Sequence, residues 1–147
     1  MKPSEIRGEL LQQHAQIRVM MDVTLTIAEG TRVGAPDGGE LQGCLVRLAD
    51  AVRTHNLREE ALLRDLIPSV DAWGPARAAI MTAEHMKEHE RFYAALLGVP
   101  CTPVEFAAAG IVALLELIRE HMDREEAAFL GEDVLRDDLV VANQSGG

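Results

Sequence analysis

One stripe of side chains between residues 40 and 67 constrains the fold of this 147-residue chain more than any other feature. Its positions recur in alternating steps of four and three residues, which keeps them on one face of an α-helix. They are Leu41, Leu45, Leu48, Val52, His55, Glu59, Leu62 and Leu66. A helix with such a face has to pack it against other helices, and this face includes an imidazole and a carboxylate.

Three further segments carry helical signals of the same kind. With the striped segment, the predicted helices run from after Pro3, with Ser4 as the cap, to about Glu29, from about Glu40 to Ile67, from about Pro75 to Leu97 and from about Thr102 to about Leu130. Glycine and proline residues mark the connections. Aromatic residues make up only 3% of the chain, which disfavours a sheet core. The sequence therefore predicts an all-α, up-down-up-down four-helix bundle with a short C-terminal extension.

The length fits a single domain, expected over residues 1–131. Residues 132–147 form a tail with room for one short helix before a loose terminus. No segment has the apolar length of a signal peptide core or a membrane span, so we expect a cytoplasmic protein. The net charge of −10 argues against nucleic acid or an anionic membrane as a partner.

The five histidines follow a pattern of their own. The segments HNLREEA, which begins at His55, and HMDREEA, which begins at His121, are nearly the same. The segment HMKEH places His85 and His89 four residues apart, and His14 stands alone near the N-terminus. Residues four apart share one face of a helix, so each repeat presents an imidazole and a carboxylate together.

The depth of these residues in the bundle indicates that they meet. At about 1.5 Å per residue, all five histidines lie within about 8 Å of one level. Burying five imidazoles and two carboxylates without a cation is costly. We therefore predict a transition-metal site with the ligands His14, His55, Glu59, His85, His89, His121 and Glu125.

Other interpretations of these residues account for less of the pattern. Zinc needs only three or four of the ligands. The segment HMKEH matches the H-x-x-E-H motif of one zinc protease class, with Glu88 as the base, but that uses only two histidines. A ferritin-type site needs glutamate three residues before a histidine, and no histidine here has one. A purely structural polar core is the simplest alternative.

From His14 to about Phe129 the pattern resembles the hemerythrin family, including the bacterial HHE cation-binding domains. The resemblance implies two iron ions joined by a bridging oxo or hydroxo group. It implies that one iron is held by His85, His89 and His121, the second by His14 and His55, and that Glu59 and Glu125 bridge them. It also implies an open position on the second iron, where the family binds O2.

One feature departs from the oxygen-carrying members of the family, which typically have aspartate five residues after the histidine of helix 4. Here Glu126 is the fifth residue and Glu125 the fourth. We expect Glu125 to be the bridge, because Glu59 also follows its histidine by four residues. Glu60 and Glu126 are predicted to be ordinary charges on the helix surfaces, and Arg58 and Arg124 to form ion pairs there.

Together these features predict a non-haem di-iron protein that reversibly binds O2 for storage, delivery or sensing. A histidine-rich, carboxylate-poor site suits iron that binds a ligand and releases it. The apolar residues expected to line the O2 pocket are Ile17, Met21, Leu48, Val52, Phe92, Leu117 and Phe129. The alternatives are a di-iron oxidase, peroxidase or nitric-oxide-handling enzyme with the same ligands, and an iron-binding or iron-buffering module.

Overall fold

Four long helices make up most of the chain. The computed structural model describes residues 1–32, 38–66, 74–99, 104–128 and 130–138. The helices are α1 (Pro3–Arg32), α2 (Gly38–Leu66), α3 (Gly74–Gly98) and α4 (Val104–Ala128). The described residues contain no strand, so the predicted all-α class is confirmed. No helix in the same ranges is long and apolar enough to cross a membrane.

Each helix runs antiparallel to its neighbours. Between α1 and α2, Glu9 contacts Arg58 and His14 contacts His55, so positions rise on one helix as they fall on the other. The same reversal holds for the other three neighbouring pairs of helices. The contacts are His85–Glu59 and Tyr93–Arg53 between α3 and α2, Glu88–Arg124 and His89–His121 between α3 and α4, and Arg18–Glu126 and Asp22–Arg119 between α1 and α4. This order is an up-down-up-down four-helix bundle.

The inward face of α4 differs from the prediction. Leu117, expected in the O2 pocket, is 53% exposed, while Ile118 is buried in the core. At about 100° per residue, Leu117 and Ile118 lie on opposite sides of His121, and the buried arc extends only towards Ile118. His121 therefore stands at the edge of the buried face and reaches the bundle axis from the side. The prediction for Leu117 was wrong because it placed His121 in the middle of that face.

The remaining inward positions form one core. On α2 the predicted stripe is buried from Leu41 to Glu59. The expected pocket residues that are buried are Ile17, Met21, Leu48, Val52 and Phe92, and all five belong to the same apolar cluster. Phe129 lies outside the described residues. The cluster fills the bundle on one side of the histidines.

A second, smaller cluster closes the other end of the bundle. Its buried members are Ile6, Leu10, Leu63, Leu130 and Leu135. The C-terminal segment is tied to α1, because Arg7 donates to the carbonyl oxygen of Leu130 at 2.7 Å and Ser4 donates to Asp137 at 3.0 Å. Residues 132–138 form turns and end in a short 3₁₀ turn. The histidines thus lie between two apolar layers.

The adjacent residues Ile118 and Leu117 allow a test of the α4 face. Ile118→Ala removes a buried side chain and should lower the free energy of unfolding by about 2–5 kcal/mol, whereas Leu117→Ala should change it by less than about 0.5 kcal/mol. Urea unfolding of the metal-free variants, followed by circular dichroism, measures both. Equal losses in the two variants would contradict this orientation of α4.

Candidate metal centre

Seven polar residues from all four helices converge in the middle of the bundle. Their ligand atoms form two groups, each with all atoms within 4.8 Å of one another. The first group is His85, His89, His121 and Glu125, and the second is His14, His55, Glu59 and Glu125. These are the seven residues that the sequence pattern singled out, and all but His85 are buried.

The histidine nitrogens within each group face one another. The Nε2 atoms of His14 and His55 are 3.0 Å apart, and those of His89 and His121 are 3.1 Å apart. A neutral imidazole has only one N–H, so at most one nitrogen of each pair can donate to the other unless a ring is protonated. In each pair, the lone pair of at least one Nε2 atom therefore faces the other Nε2 atom. Histidine ligands of one metal ion face one another in the same way.

Both carboxylates lie between the two histidine groups. Glu125 Oε1 is 2.5 Å from His121 Nε2 and 3.2 Å from His85 Nε2, while its Oε2 is 3.1 Å from His14 Nε2. Glu59 Oε2 is 2.9 Å from His85 Nε2 and 3.9 Å from His55 Nε2. Each glutamate thus lies within 4 Å of histidine nitrogens from both groups.

Three carboxylate oxygens at this centre are not satisfied by hydrogen bonds. They are Glu59 Oε1, Glu125 Oε1 and Glu125 Oε2, which are buried and have no hydrogen-bond partner among the described residues. The nearby histidine nitrogens approach the Glu125 oxygens without hydrogen-bond geometry. A buried carboxylate in this state is costly. A bound cation offsets that cost, so the donor set fits a metal.

The opposite nitrogens of four histidines contact side chains in an outer ring. Three of these contacts are to carboxylates: Nδ1 lies 2.9 Å from Glu126 Oε1 for His14, 2.9 Å from Glu60 Oε1 for His89 and 3.0 Å from Glu88 Oε2 for His121. The fourth is the 2.8 Å contact between His55 Nδ1 and Gln13 Oε1. We call Gln13, Glu60, Glu88 and Glu126 the outer acceptors. An Nδ1–H that donates outwards leaves Nε2 as the lone-pair donor towards the centre.

Arginines hold two of the outer acceptors in turn. Arg18 donates to Glu126 at 2.7 Å, and Arg124 donates to Glu88 at 2.6 Å.

Glu126 and Glu60 were predicted to be ordinary surface charges, and this prediction was wrong, because both contact central histidines. Glu88 contacts the outer nitrogen of His121, so the protease interpretation, in which it acts as a base, gains no support. The ion pair predicted for Arg58 is present, with Glu9.

The outer acceptors share one feature in the sequence. Each one is the immediate neighbour of a candidate ligand in the sequence, as Glu126 is of Glu125 and Gln13 is of His14. However, each contacts a histidine on a different helix, as Glu126 does with His14. The contact depends on how neighbouring helices are rotated, which spacing within one helix does not determine.

Burial and charge shift the pKa values of the central residues in different directions. Burial, reinforced by the positive charge of His14, lowers the pKa of His55 to about 3. Burial also opposes protonation of His14 and His85, but neighbouring carboxylates outweigh burial and raise both pKa values. For His14 these carboxylates are chiefly Glu125 and Glu126, and for His85 the chief one is Glu59. Burial works against ionisation of Glu125, yet the histidines around it hold its pKa well below the usual value.

Comparison with known protein families agrees with this geometry. The family described as the hemerythrin HHE cation binding domain matches residues 5–132. The chain belongs to this family. Comparison of this hemerythrin-like protein with curated proteins and with solved structures gave no significant match. The matched range includes all seven central residues and all four outer acceptors.

The low pKa of His55 predicts an acid-sensitive metal-free protein. Unfolded His55 takes up a proton below about pH 6.5, but the folded residue does so only near pH 3, so stability falls as the pH drops through this window. The slope from this residue approaches about 1.4 kcal/mol per pH unit. The raised pKa values of His14 and His85 act oppositely, since their stabilisation is lost as the pH rises through the folded values.

Urea unfolding of the metal-free protein and of a His55→Gln variant between pH 5 and 6.5 isolates this effect. The opposite contributions of His14 and His85 are present in both proteins, and Glu125 loses its contribution only at lower pH. His55→Gln keeps a polar side chain without a titrating group. The variant should show a shallower fall in stability towards acid than the unchanged protein. Parallel slopes in the two proteins would contradict a buried neutral His55.

Proposed function

We propose that this hemerythrin-like protein holds two iron ions and reversibly binds O2. The observation that carries the proposal is the pair of histidine groups sharing two buried carboxylates, whose unsatisfied oxygens lie between them. Five imidazoles against two carboxylates is a nitrogen-rich donor set, which suits iron that binds a small ligand and releases it better than iron stored as an oxide.

The ligand assignment follows the two groups. We assign the first iron to His85, His89 and His121, the second to His14 and His55, and the bridging positions to Glu59 and Glu125, with an oxo or hydroxo group as a further bridge. The distances of Glu125 to histidines of both groups support it as a bridge, whereas Glu126 reaches only the outer nitrogen of His14. The second iron would then have one protein ligand fewer than the first, which would leave room for a small ligand.

Two ferrous ions, if bound here, would supply the two electrons that reversible O2 binding requires. The residues of this chain provide the surroundings that such a cycle needs. Ile17, Met21, Leu48, Val52 and Phe92 form an apolar layer against the centre and limit access of water from that side. The outer acceptors fix the rings of four of the histidines, so that the ligand atoms need little rearrangement.

The visible spectrum of the iron-loaded protein tests the proposal. The anaerobically reduced protein should gain a charge-transfer band in air and lose it when air is removed. His14→Ala should retain about one iron per chain instead of two and should show no reversible band, because it removes a ligand of the two-histidine iron. Gln12→Ala, an exposed change on the same helix, serves as the control.

Other outcomes of the same experiment distinguish the alternatives. A permanent diferric spectrum with multiple turnovers of peroxide or nitric oxide would favour an enzyme. Easily lost iron without an oxygen complex would favour a buffering module, and the absence of any iron spectrum would refute the di-iron assignment.

The outer acceptors should tune the affinity for metal. Glu126→Gln keeps the shape of the side chain but removes the charge that faces both His14 and Arg18. Loss of such a partner typically costs about 10–100-fold in metal affinity, here expected at the two-histidine position. Titration with Fe2+ under nitrogen, in competition with a chromophoric chelator, measures the change. Glu120→Gln, an exposed change of equal charge on α4, should leave the affinity unaltered.

A further inference from the structure

Grooves between neighbouring helices reach the centre at different ligands. Among the central residues, the groove between α1 and α2 is lined only by His55, and the groove between α2 and α3 only by His89. The cleft between α3 and α4, with a volume of about 430 Å³, is lined by His85, His121 and Glu125. Of these three openings between described residues, the cleft between α3 and α4 presents the most candidate ligands along one path from the surface.

We propose that the cleft between α3 and α4 is the route by which divalent cations reach the centre, with Glu84 and Glu88 attracting them at its mouth. The proposal rests on the metal centre proposed above and adds how that centre is filled. It concerns the uptake of metal by the metal-free protein and is independent of what the loaded protein does with O2.

The burial pattern supports this route. His85 has 12% of its side chain exposed, whereas the other six central residues are buried. Behind it lies Glu125, which is 1% exposed and has two oxygens without hydrogen-bond partners among the described residues. His85 Nε2 lies 3.2 Å from Glu125 Oε1, so a cation in the cleft can pass from the partly exposed imidazole directly to the buried carboxylate.

Acidic side chains lie at all three openings, so the choice of route rests on the candidate ligands that each opening reaches. The cleft between α3 and α4 has Glu84 exposed at its mouth and Glu88 partly exposed beside it, although Arg124 neutralises part of the charge of Glu88. The groove between α2 and α3 has Arg53 together with Glu60 and Glu90, so one positive and two negative side chains line it. The groove between α1 and α2 is lined by Gln13 and other uncharged residues, with one aspartate.

Rates of Co2+ uptake by the metal-free protein test the contribution of charge. Glu84→Gln should slow association about threefold at low ionic strength, and the difference should shrink as salt screens the mouth. Glu90→Gln is a matched control, because Glu90 is also exposed on α3 and also adjoins a histidine in the sequence, but it lines the other groove. The visible bands of bound Co2+ in stopped flow report the rate. Equal slowing in both variants would refute a specific role for Glu84.

A second pair of variants tests the path itself. Ala127→Trp places a bulky ring in the cleft, while Thr54→Trp places one in the groove between α1 and α2, and both positions are exposed. Blocking a route slows entrance and exit by the same factor, so Ala127→Trp should slow association and dissociation about tenfold each and leave the affinity unchanged. Thr54→Trp should change neither rate. Slowing by Thr54→Trp alone would place the route between α1 and α2.

Equilibrium binding separates failure of this route from failure of the centre. If the unchanged protein binds Co2+ at equilibrium but all four variants load at its rate, the route is wrong and the metal centre stands. If the unchanged protein binds no Co2+, the centre is refuted and the route with it. Circular dichroism of each metal-free variant verifies that the helices are intact.

Discussion

The interior of this bundle contains two carboxylates. Their negative charge is energetically unfavourable in an apolar core unless positive charge lies beside it. Glu59 and Glu125 are almost fully buried, and three of their four oxygens lack hydrogen-bond partners among the described residues. The histidines respond to this charge, since the carboxylates raise the pKa values of His14 and His85 despite their burial. In the metal-free chain, protons on the imidazoles partly take the place of a cation. The arrangement of the other polar residues follows from this need for positive charge.

The outer acceptors are arranged cyclically around the bundle. α4 supplies Glu126 to the histidine of α1, and α1 supplies Gln13 to the histidine of α2. α2 supplies Glu60 to His89 of α3, and α3 supplies Glu88 to His121 of α4. Every helix thus orients a ligand of the next one, and no helix can rotate without disturbing two of these contacts. The polar network therefore fixes the relative rotation of the helices, which apolar packing specifies less strictly.

Most of the fold and the central residues could be predicted from periodicity, because the same spacing that defines a buried helical face also aligns His55 with Glu59 and His121 with Glu125. The rotation of α4 about its axis could not be predicted from the sequence. Leu117 and Ile118 both fit a helical stripe through His121, and only packing against the other helices distinguishes them. The outer acceptors were missed for the same reason. Their partners lie on neighbouring helices, and a charged residue beside a ligand in sequence usually points to solvent.

The long separation of the central residues along the chain bears on how the protein is made. His14 and Glu126, which are in contact, are 112 residues apart, and the C-terminal segment is tied to the start of α1 through Arg7 and Leu130. A ribosome adds about 5–20 residues per second, so α1 and α2 exist for several seconds before α4 is synthesised. During that time the nascent chain has His14, His55 and Glu59 and gains His85 and His89 with α3, but it lacks His121 and Glu125. The complete set of seven central residues therefore comes together only after α4 leaves the exit tunnel.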